Sequence, residues 1–406
     1  MKKNAKKPKK WLRFRHKIMR NVIRAAIFPH AYFKYGMRVK KFKEQNHRQY
    51  LILSNHQTAF DQFFVGMAFK GATYYVASED LFSNGFISKV IKHLVAPIPI
   101  KKQTTDVRAV MDCMRVSKEG GTIALFPEGN RTYSGKTEYI KPSVVRLVKS
   151  LKLPIAFFLI QGGYGVQPRW SSKLRKGRMT AGVTRVVEYD EYKTLSDDQL
   201  YDLICKELYV DEGKADGVFK SKTPAEHMER AYYYCPDCGL SQFESKKDVI
   251  ACTKCGRRVR YLPDKTLVGV DKPFPYSFTT EWYDAQADYM NALDLSTLPE
   301  TPLREDTVRF SQIFLYRKKK LLFKKATARL YKDKIEIAAK GKTLSFPFDR
   351  IGAVTVLGRN KINLYDGNEV YQIKPNERFC AVLYVHLYYR FQNVTKGEEH
   401  VKFLGL

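Results

Sequence analysis

Between residues 48 and 190, short apolar runs alternate with stretches of helical spacing, and this alternation restricts the fold more than any other feature. The apolar run at residues 50–53 precedes a helical pattern at residues 60–69, and the run at residues 122–126 follows another helical pattern. Strands that alternate with helices build a central sheet that helices cover. We therefore predict an α/β domain with a central sheet flanked by helices at residues 31–212.

The rest of the chain divides into smaller units. Residues 1–30 are basic and amphipathic, residues 231–262 hold a cysteine cluster, and residues 306–406 contain short β-type runs followed by one helical stretch. Residues 213–230 are polar and predict a linker, and residues 263–305 predict a second linker with a single helix. A chain of 406 residues is long enough for roughly two or three domains.

The charge balance restricts the possible partners. The chain holds 72 Lys and Arg against 41 Asp and Glu, a net charge of +31. Such a chain should meet an anionic partner, namely nucleic acid, a lipid surface or phosphorylated small molecules. An apolar fraction of 44% excludes wholesale disorder. No run approaches the roughly eighteen apolar residues of a spanning helix, which excludes a polytopic membrane protein, and no cleavage pattern indicates a signal peptide.

Residues 11–28 predict an amphipathic helix. Its apolar stripe consists of Trp11, Phe14, Ile18, Val22 and Ala26. The opposite face is expected to carry Arg13, Lys17, Arg20 and Arg24. This pattern is typical of a helix in a membrane interface, where each cation near an anionic leaflet contributes about 1 kcal/mol. We expect peripheral attachment to the cytoplasmic face of an anionic membrane; the alternative is a helix whose apolar stripe packs on the protein.

A histidine stands where the first predicted strand ends and the chain turns toward a helix. His56 is followed five positions later by Asp61, and catalytic groups belong at such carboxyl ends of strands. The carboxylate can accept from one imidazole nitrogen, which makes the other nitrogen a better base for a hydroxyl proton. A His–Asp pair taken alone is more often a structural hydrogen bond, so the interpretation needs a second motif.

A second polar loop follows a later apolar strand. Its residues are Phe126, Pro127, Glu128, Gly129, Asn130, Arg131 and Thr132. Pro127 ends the strand, and Gly129 lets the backbone turn closely around a ligand. Arg131 offers a planar fork suited to a phosphate, and Thr132 adds a hydroxyl donor. Glu128 is unusual for a phosphate site, so we expect it to orient Arg131 or its own loop.

In this order, the two motifs resemble those of the glycerolipid acyltransferase family, whose best-known members convert lysophosphatidic acid to phosphatidic acid. The first family motif is matched by Asn55, His56 and Asp61. The second is matched by Phe126, Pro127, Glu128, Gly129 and Arg131, with Asn130 where Thr is usual and Thr132 where Ser is usual. Lys101 and Lys102 occupy the place of a family arginine, and residues 153–158 match the last block without its second proline. The resemblance covers about residues 35–190.

The resemblance implies the mechanism of a membrane-peripheral O-acyltransferase of the 1-acylglycerol-3-phosphate type. His56 would act as general base on the hydroxyl of a lysophospholipid, and Asp61 would orient it. The hydroxyl would attack the thioester of acyl-CoA or of an acyl-carrier protein. The candidates for binding the acceptor are Lys101, Lys102, Glu128, Gly129, Asn130, Arg131 and Thr132.

Four cysteines form two knuckles with the spacing of a zinc ribbon, namely Cys235, Cys238, Cys252 and Cys255. Tetrahedral zinc takes four thiolates, two from each turn, and a glycine after each second cysteine frees backbone amides to point at sulfur. We predict a closed, structural zinc site here; a disulfide pair or a redox centre is the alternative. The other three cysteines are scattered, which suits a reducing compartment.

The last hundred residues resemble a pleckstrin-homology-like barrel, in which short antiparallel strands are capped by one helix. Asp366 and Gly367 give a hairpin signal between two β-type runs. A scaffold or docking role is the expectation for this domain.

Two other functions stay open. One is acyl transfer to another lipid acceptor, because lysine replaces the family arginine at Lys101 and Lys102. The other is a non-catalytic nucleic-acid-binding protein, because a net charge of +31 and a zinc ribbon also fit that class. The densest charge accompanies an amphipathic apolar stripe, which nucleic acid does not require, so we expect the enzyme and consider nucleic acid the less favoured partner.

Overall fold

The computed structural model describes residues 10–82, 85–100, 107–214, 217–314, 317–398 and 401–405. These residues form a mixed α/β domain, a region with four clustered cysteines and small sheets, and a C-terminal antiparallel half-barrel followed by a helix. The predicted fold class is confirmed.

A seven-stranded sheet forms the centre of the first domain. Its strands are β1 (Met37–Val39), β2 (Leu51–Ser54), β3 (Thr73–Ser78), β4 (Ile98–Ile100), β5 (Thr122–Leu125), β6 (Ile155–Gln161) and β7 (Met179–Val187). The helices are α1 (Phe14–Tyr35), α2 (Asp61–Ala68), α3 (Phe86–Leu94), α4 (Val107–Lys118), α5 (Ser143–Leu151), α6 (Gly163–Val166), α7 (Tyr189–Tyr192) and α8 (Asp197–Leu208). The strand order is β1-β7-β6-β2-β5-β3-β4, and neighbours run parallel except β6 and β7.

Strand β2 lies in the middle of this sheet, between β5 and β6. Residues 51–53 are fully buried, and a strand covered on both faces needs such a continuous apolar run. Because β2 and β5 are parallel neighbours, their carboxyl ends open at the same edge of the sheet. The loop of His56 leaves β2 at this edge, and the loop of Arg131 leaves β5 beside it.

Helix α1 is longer than predicted and continues through Pro29 to Tyr35. Phe14, Ile18 and Val22 are 77%, 50% and 54% exposed, so this part of the apolar stripe does not pack on the protein. Trp11 differs, because its indole N–H donates to the Ala96 carbonyl at 3.0 Å. In the part of the chain that the structure describes, no helix combines the length and apolar character needed to cross a bilayer.

The described residues 217–230 are packed, although the polar composition of residues 213–230 predicted a linker. Their buried side chains include Phe219, Ala225, Met228 and Arg230. The Phe219 N–H donates to the Pro263 carbonyl at 2.7 Å, and Lys220 exchanges backbone hydrogen bonds with Lys176. A few well-spaced apolar side chains are enough to bury a stretch whose average composition is polar.

The cysteine-bearing region contains two small antiparallel sheets. The two-stranded sheet consists of β8 (Tyr234–Cys235) and β9 (Gly239–Leu240). The four-stranded sheet consists of β10 (Phe243–Lys246), β11 (Val249–Cys252), β12 (Arg258–Tyr261) and β13 (Leu267–Gly269). The helix expected in the following stretch is α9 (Thr279–Ala292), whose fully buried Trp282 stacks on Tyr232 with ring centroids 4.1 Å apart.

The half-barrel is a seven-stranded antiparallel sheet. Its strands are β14 (Arg304–Ile313), β15 (Lys320–Leu330), β16 (Lys334–Ala339), β17 (Lys342–Pro347), β18 (Ala353–Leu357), β19 (Lys361–Asp366) and β20 (Glu369–Pro375), in the order β17-β16-β15-β14-β20-β19-β18. The predicted hairpin turn joins β19 to β20, and Gly367 adopts the left-handed φ of 57° that favours glycine there. The largely buried helix α10 (Ala381–Thr395) follows the sheet.

One apolar core connects these units. Buried side chains of the ribbon and the half-barrel belong to a single cluster, which includes Ile250 and Leu364. The same cluster contains Tyr133 and Trp170 of the α/β domain. The half-barrel therefore packs against the loops that follow the central sheet.

Candidate active site

The carboxylate of Asp61 is completely buried at the first residue of α2. It accepts hydrogen bonds from His56 Nδ1 at 2.8 Å, from the Gln57 N–H at 2.6 Å and from Thr58 Oγ1 at 2.6 Å. The N-terminal end of a helix favours such a negative charge. Because a carboxylate only accepts, Nδ1 of His56 carries the proton and Nε2 is left as the proton acceptor.

The imidazole of His56 is held in its neutral form. Burial lowers the pKa of His56 below its ordinary value of 6.5, and the hydrogen bond that its Nδ1–H donates to Asp61 opposes this in part. The positive charges of Arg131 and Arg169 lower the pKa further. The side chain keeps 20% of its surface exposed, so an alcohol can approach it.

Three contacts join the loop of His56 to the second polar loop. The His56 N–H donates to Glu128 Oε1 at 2.7 Å, and the Thr132 N–H donates to the His56 carbonyl at 3.2 Å. The imidazole also stacks on Phe126, with ring centroids 4.5 Å apart. The two loops are therefore fixed relative to one another.

Glu128 and Thr132 direct their polar atoms into the protein. Glu128 accepts from two backbone N–H groups, those of His56 and of Glu138, and burial raises its pKa well above the ordinary range. Glu128 thus connects its own loop to the loop of His56. Thr132 is fully buried, and its hydroxyl accepts from the Gly135 N–H at 2.9 Å. The hydroxyl of Thr132 was predicted to donate to a phosphate, but in the structure it stabilises the turn at Gly135.

Asn55 fixes the point where β2 ends. Its side chain donates to the Ile160 carbonyl at 2.8 Å and accepts from the Ile160 N–H at 2.8 Å. Since Ile160 lies on the neighbouring strand β6, this amide connects the two strands just before His56. Asn55 therefore positions the histidine through the main chain.

Arg131 is a half-buried cation of the second polar loop. Among the residues described, its guanidinium forms no hydrogen bond or ion pair, while burial and the neighbouring Arg169 lower its pKa to about 10. A half-buried charge without a partner is costly, and an anionic ligand relieves that cost. Gly129, two residues before it, adopts a left-handed φ of 66°, and a Cβ there would meet open space.

His56 and Arg131 line the same cavity, which has a volume of about 820 Å³. Glu128, Gly129 and Asn130 contribute to its polar part. The apolar part includes side chains from five helices and from strand β3, namely Ile27, Met67, Ile91, Val110 and Leu147 on the helices and Val76 on the strand. A cavity with a cation, a base and an extended apolar wall suits an amphiphilic ligand.

Residues 37–160 match the model of the protein family described as Acyltransferase. This segment is an acyltransferase domain. Among solved structures, the chain is similar to the 1-acyl-sn-glycerophosphate (LPA) acyltransferase PlsC from Thermotoga maritima, with 19% sequence identity and a TM-score of 0.40, over 48% of this chain and 80% of that chain. The comparison with curated proteins gave no match.

Two cations of α1 differ from their predicted positions. Arg20 and Arg24 line the cavity, although they were expected on an outward face of α1. Arg20 donates to the Phe69 carbonyl just beyond α2, where the unpaired carbonyls of a helix end attract a cation. Lys101 and Lys102 lie outside the described residues.

Arg169 is a residue of this site that the sequence did not reveal. It is 2% exposed, lines the cavity, and donates to the Arg131 carbonyl at 2.7 Å. It stands alone in a loop, in no recognisable motif, so no local signal could have identified it.

The four predicted zinc ligands form one cluster, and their sulfur atoms all lie within 4.8 Å of one another. The Sγ atoms of Cys235 and Cys255 are 3.7 Å apart. Zn–S bonds of about 2.3 Å in a tetrahedron place sulfur atoms about 3.8 Å apart, so the cluster fits a metal ion of this kind. The cluster lies apart from the cavity of the acyltransferase domain, which its cysteines do not line.

Proposed function

We propose that the chain is a membrane-peripheral O-acyltransferase, which moves a fatty acyl group from acyl-CoA or an acyl-carrier protein to the hydroxyl of a lysophospholipid such as 1-acylglycerol-3-phosphate. One observation carries the proposal: the carboxylate-bound imidazole of His56 and the unpaired guanidinium of Arg131 line one largely apolar cavity. The family match of residues 37–160 supports acyl transfer as the type of chemistry.

In the proposed reaction, Nε2 of His56 takes the proton of the acceptor hydroxyl as its oxygen attacks the thioester carbonyl. The tetrahedral intermediate collapses, the C–S bond breaks, and the new ester forms. The departing thiolate takes the proton from the imidazolium, which returns His56 to its neutral form. Asp61 keeps the proton on Nδ1 throughout and stabilises the imidazolium, and general base catalysis of this kind contributes roughly 10²- to 10⁴-fold.

The acceptor's phosphate is assigned to Arg131. Its planar fork can bind two phosphate oxygens, and its burial strengthens that attraction. The backbone of Gly129 and the side chains of Lys101 and Lys102 remain further predicted contributors. The apolar wall of the cavity would take the hydrocarbon chains.

Exposed apolar side chains on the helices that surround the cavity support the membrane attachment. Phe14, Ile18 and Val22 on α1 are joined by Phe86 on α3 and Met111 on α4, which are 79% and 65% exposed. Helices α1 and α3 pack together. With the net charge of +31, this arrangement suits an anionic lipid surface.

A structural zinc ion is proposed for the cysteine cluster. When bound, the metal would hold the two knuckles together through four thiolates. It would take no part in acyl transfer, because a site closed by four protein ligands leaves no position for a substrate.

The test is to incubate the pure protein with acyl-CoA and a panel of lysolipids and to identify products by mass spectrometry. We expect acylation of 1-acylglycerol-3-phosphate, and a rate lowered roughly 10²- to 10⁴-fold in His56→Ala. His93→Ala, which changes an exposed histidine of α3, is the matched control and should keep full activity. No product from any lysolipid would overturn the proposal, and unchanged turnover in His56→Ala would overturn the assignment of the base.

A further inference from the structure

The half-barrel reaches the proposed active site through the turn that joins β18 to β19. Leu357 and Gly358 of this turn line the same cavity as His56 and Arg131. Gly358 has a left-handed φ of 64°, so the turn depends on glycine at this position. The C-terminal domain thus supplies part of the cavity wall.

Arg169 connects this turn to the main chain of Arg131. Its Nε donates to the Gly358 carbonyl at 2.8 Å, and its Nη1 donates to the Arg131 carbonyl at 2.7 Å. Nη2 lies 3.4 Å from both Asn130 Oδ1 and the Val356 carbonyl. A single buried guanidinium therefore bridges residues 130–131 of one domain and residues 356–358 of the other.

Tyr133 provides a second connection between the same two segments. Its hydroxyl donates to the Arg359 carbonyl at 2.5 Å. Its ring lies under the Arg169 guanidinium, with the central carbon 4.3 Å from the ring centroid. Tyr133 is fully buried, so these contacts are shielded from water.

The geometry of Arg169 explains why arginine is needed. The guanidinium is rigid and planar and presents donors in several fixed directions, whereas a lysine ammonium is a point charge on a flexible stem. Arg169 uses those directions to hold main-chain carbonyls on two domains. The peptide of Arg131 is held on its carbonyl side by Arg169, while its side chain remains available to a ligand.

We propose that the β18–β19 turn is a structural part of the active site, and that Arg169 is a positioning residue that holds this turn against Arg131 and so sets where the acceptor's phosphate binds. The proposal rests on the proposed function for the identity of that ligand. The structural part of the proposal is that the loop at residues 126–134 depends on the half-barrel, and this part does not depend on the proposed function.

The first experiment compares Gly358→Val with Gly367→Val. Both glycines have left-handed φ angles in hairpin turns of the same sheet, so both variants carry a similar backbone strain. Only the turn of Gly358 contacts Arg169. We expect faster amide hydrogen exchange across residues 126–134 in Gly358→Val, and exchange at the wild-type rate there in Gly367→Val.

The second experiment measures KM values in Arg169→Lys, which keeps the positive charge but loses the planar guanidinium with its several fixed donors. We expect the KM for 1-acylglycerol-3-phosphate to rise by roughly tenfold to a hundredfold, because a small displacement of a binding group is costly, while the KM for acyl-CoA stays unchanged. Gly358→Val should show the same selective rise, and Gly367→Val should not.

The outcomes separate this proposal from the proposed function. If residues 126–134 exchange at the wild-type rate in both Gly358→Val and Arg169→Lys, the positioning role is wrong, whether or not the enzyme acylates lysolipids. An equal rise in KM for both substrates would contradict the assignment to the phosphate. The wild-type protein could fail to acylate any lysolipid while the variants show the expected exchange pattern. The positioning of Arg131 would then stand, and the proposal of a lysophospholipid acyltransferase would be wrong.

Discussion

At the scale of single residues, the charges around His56 set the pH range of the proposed reaction. Burial lowers the pKa of His56, the positive charges of Arg131 and Arg169 lower it further, and the hydrogen bond that His56 donates to Asp61 raises it. Acyl transfer requires the neutral imidazole. We therefore expect kcat/KM to fall with decreasing pH only below the ordinary value of 6.5, as the imidazole gains a proton.

Arg131→Gln tests this account of the pH dependence. The substitution removes a positive charge that disfavours the imidazolium, so the pKa of His56 should rise and the acidic limb of the kcat/KM profile should move to higher pH. The profile is to be measured with saturating acyl-CoA. A limb that stays in place or moves to lower pH would show that Arg131 does not act on His56.

Arg131→Ala tests the binding of the acceptor's phosphate. Loss of a charge-assisted contact should raise the KM for 1-acylglycerol-3-phosphate by about tenfold to a hundredfold, and should change the KM for acyl-CoA much less. Arg146→Ala is the matched control, because Arg146 also lines the cavity but is exposed on α5. Equal effects of Arg131→Ala on both substrates would argue against a phosphate site.

At the scale of elements, helix α1 has one face exposed to solvent and another face that lines the cavity of His56 and Arg131. Phe14 and Ile18 point outward, and Ile23 and Ile27 line the cavity on its other side. The double substitution Phe14→Glu and Ile18→Glu should leave the fold intact, because both side chains are exposed, and should abolish cosedimentation with anionic vesicles. Val268→Glu is the control, because Val268 on β13 is an apolar residue about as exposed as Ile18. This variant should still cosediment with the vesicles.

The vesicle experiment also distinguishes the peripheral enzyme from the alternative of a nucleic-acid-binding protein. Binding to RNA that survives in the double variant, together with no binding of the wild type to vesicles, would favour a nucleic-acid-binding protein over a peripheral enzyme.

Short-range signals were enough to predict many elements correctly. Helix α2 and strand β5 lie within the predicted runs at residues 60–69 and 122–126. The hydrogen bond between His56 and Asp61 spans only five residues, so a local motif could suggest it.

Long-range contacts account for what the sequence did not reveal. The partners of Arg169 are 38 and 189 residues away, and they are main-chain carbonyls, which no residue type identifies. Thr132 looked like a ligand donor because the turn that uses its hydroxyl forms only in the fold. The packing of residues 217–230 depends on partners such as Pro263 and Lys176, which lie outside that stretch.

At the scale of the whole molecule, the ribbon and the half-barrel share one apolar core, so loss of metal should affect both. Cys252→Ser should release zinc and lower the free energy of unfolding by more than about 4 kcal/mol, the range in which loss of a metal site falls. Metal analysis and thermal unfolding measure the two effects. Cys205→Ser, outside the cluster, should change neither, and a wild-type protein without zinc would contradict the zinc assignment.

The unpaired guanidinium of Arg131 links ligand binding to the melting temperature. A half-buried cation that forms no ion pair among the described residues raises the free energy of the empty folded state, and an anion that binds there lowers it. The thermodynamic gain grows with ligand concentration, and reaches about 2.7 kcal/mol at a hundred times the Kd. The protein should therefore melt at a higher temperature in glycerol 3-phosphate than in an equal ionic strength of chloride, and Arg131→Ala should lose this difference.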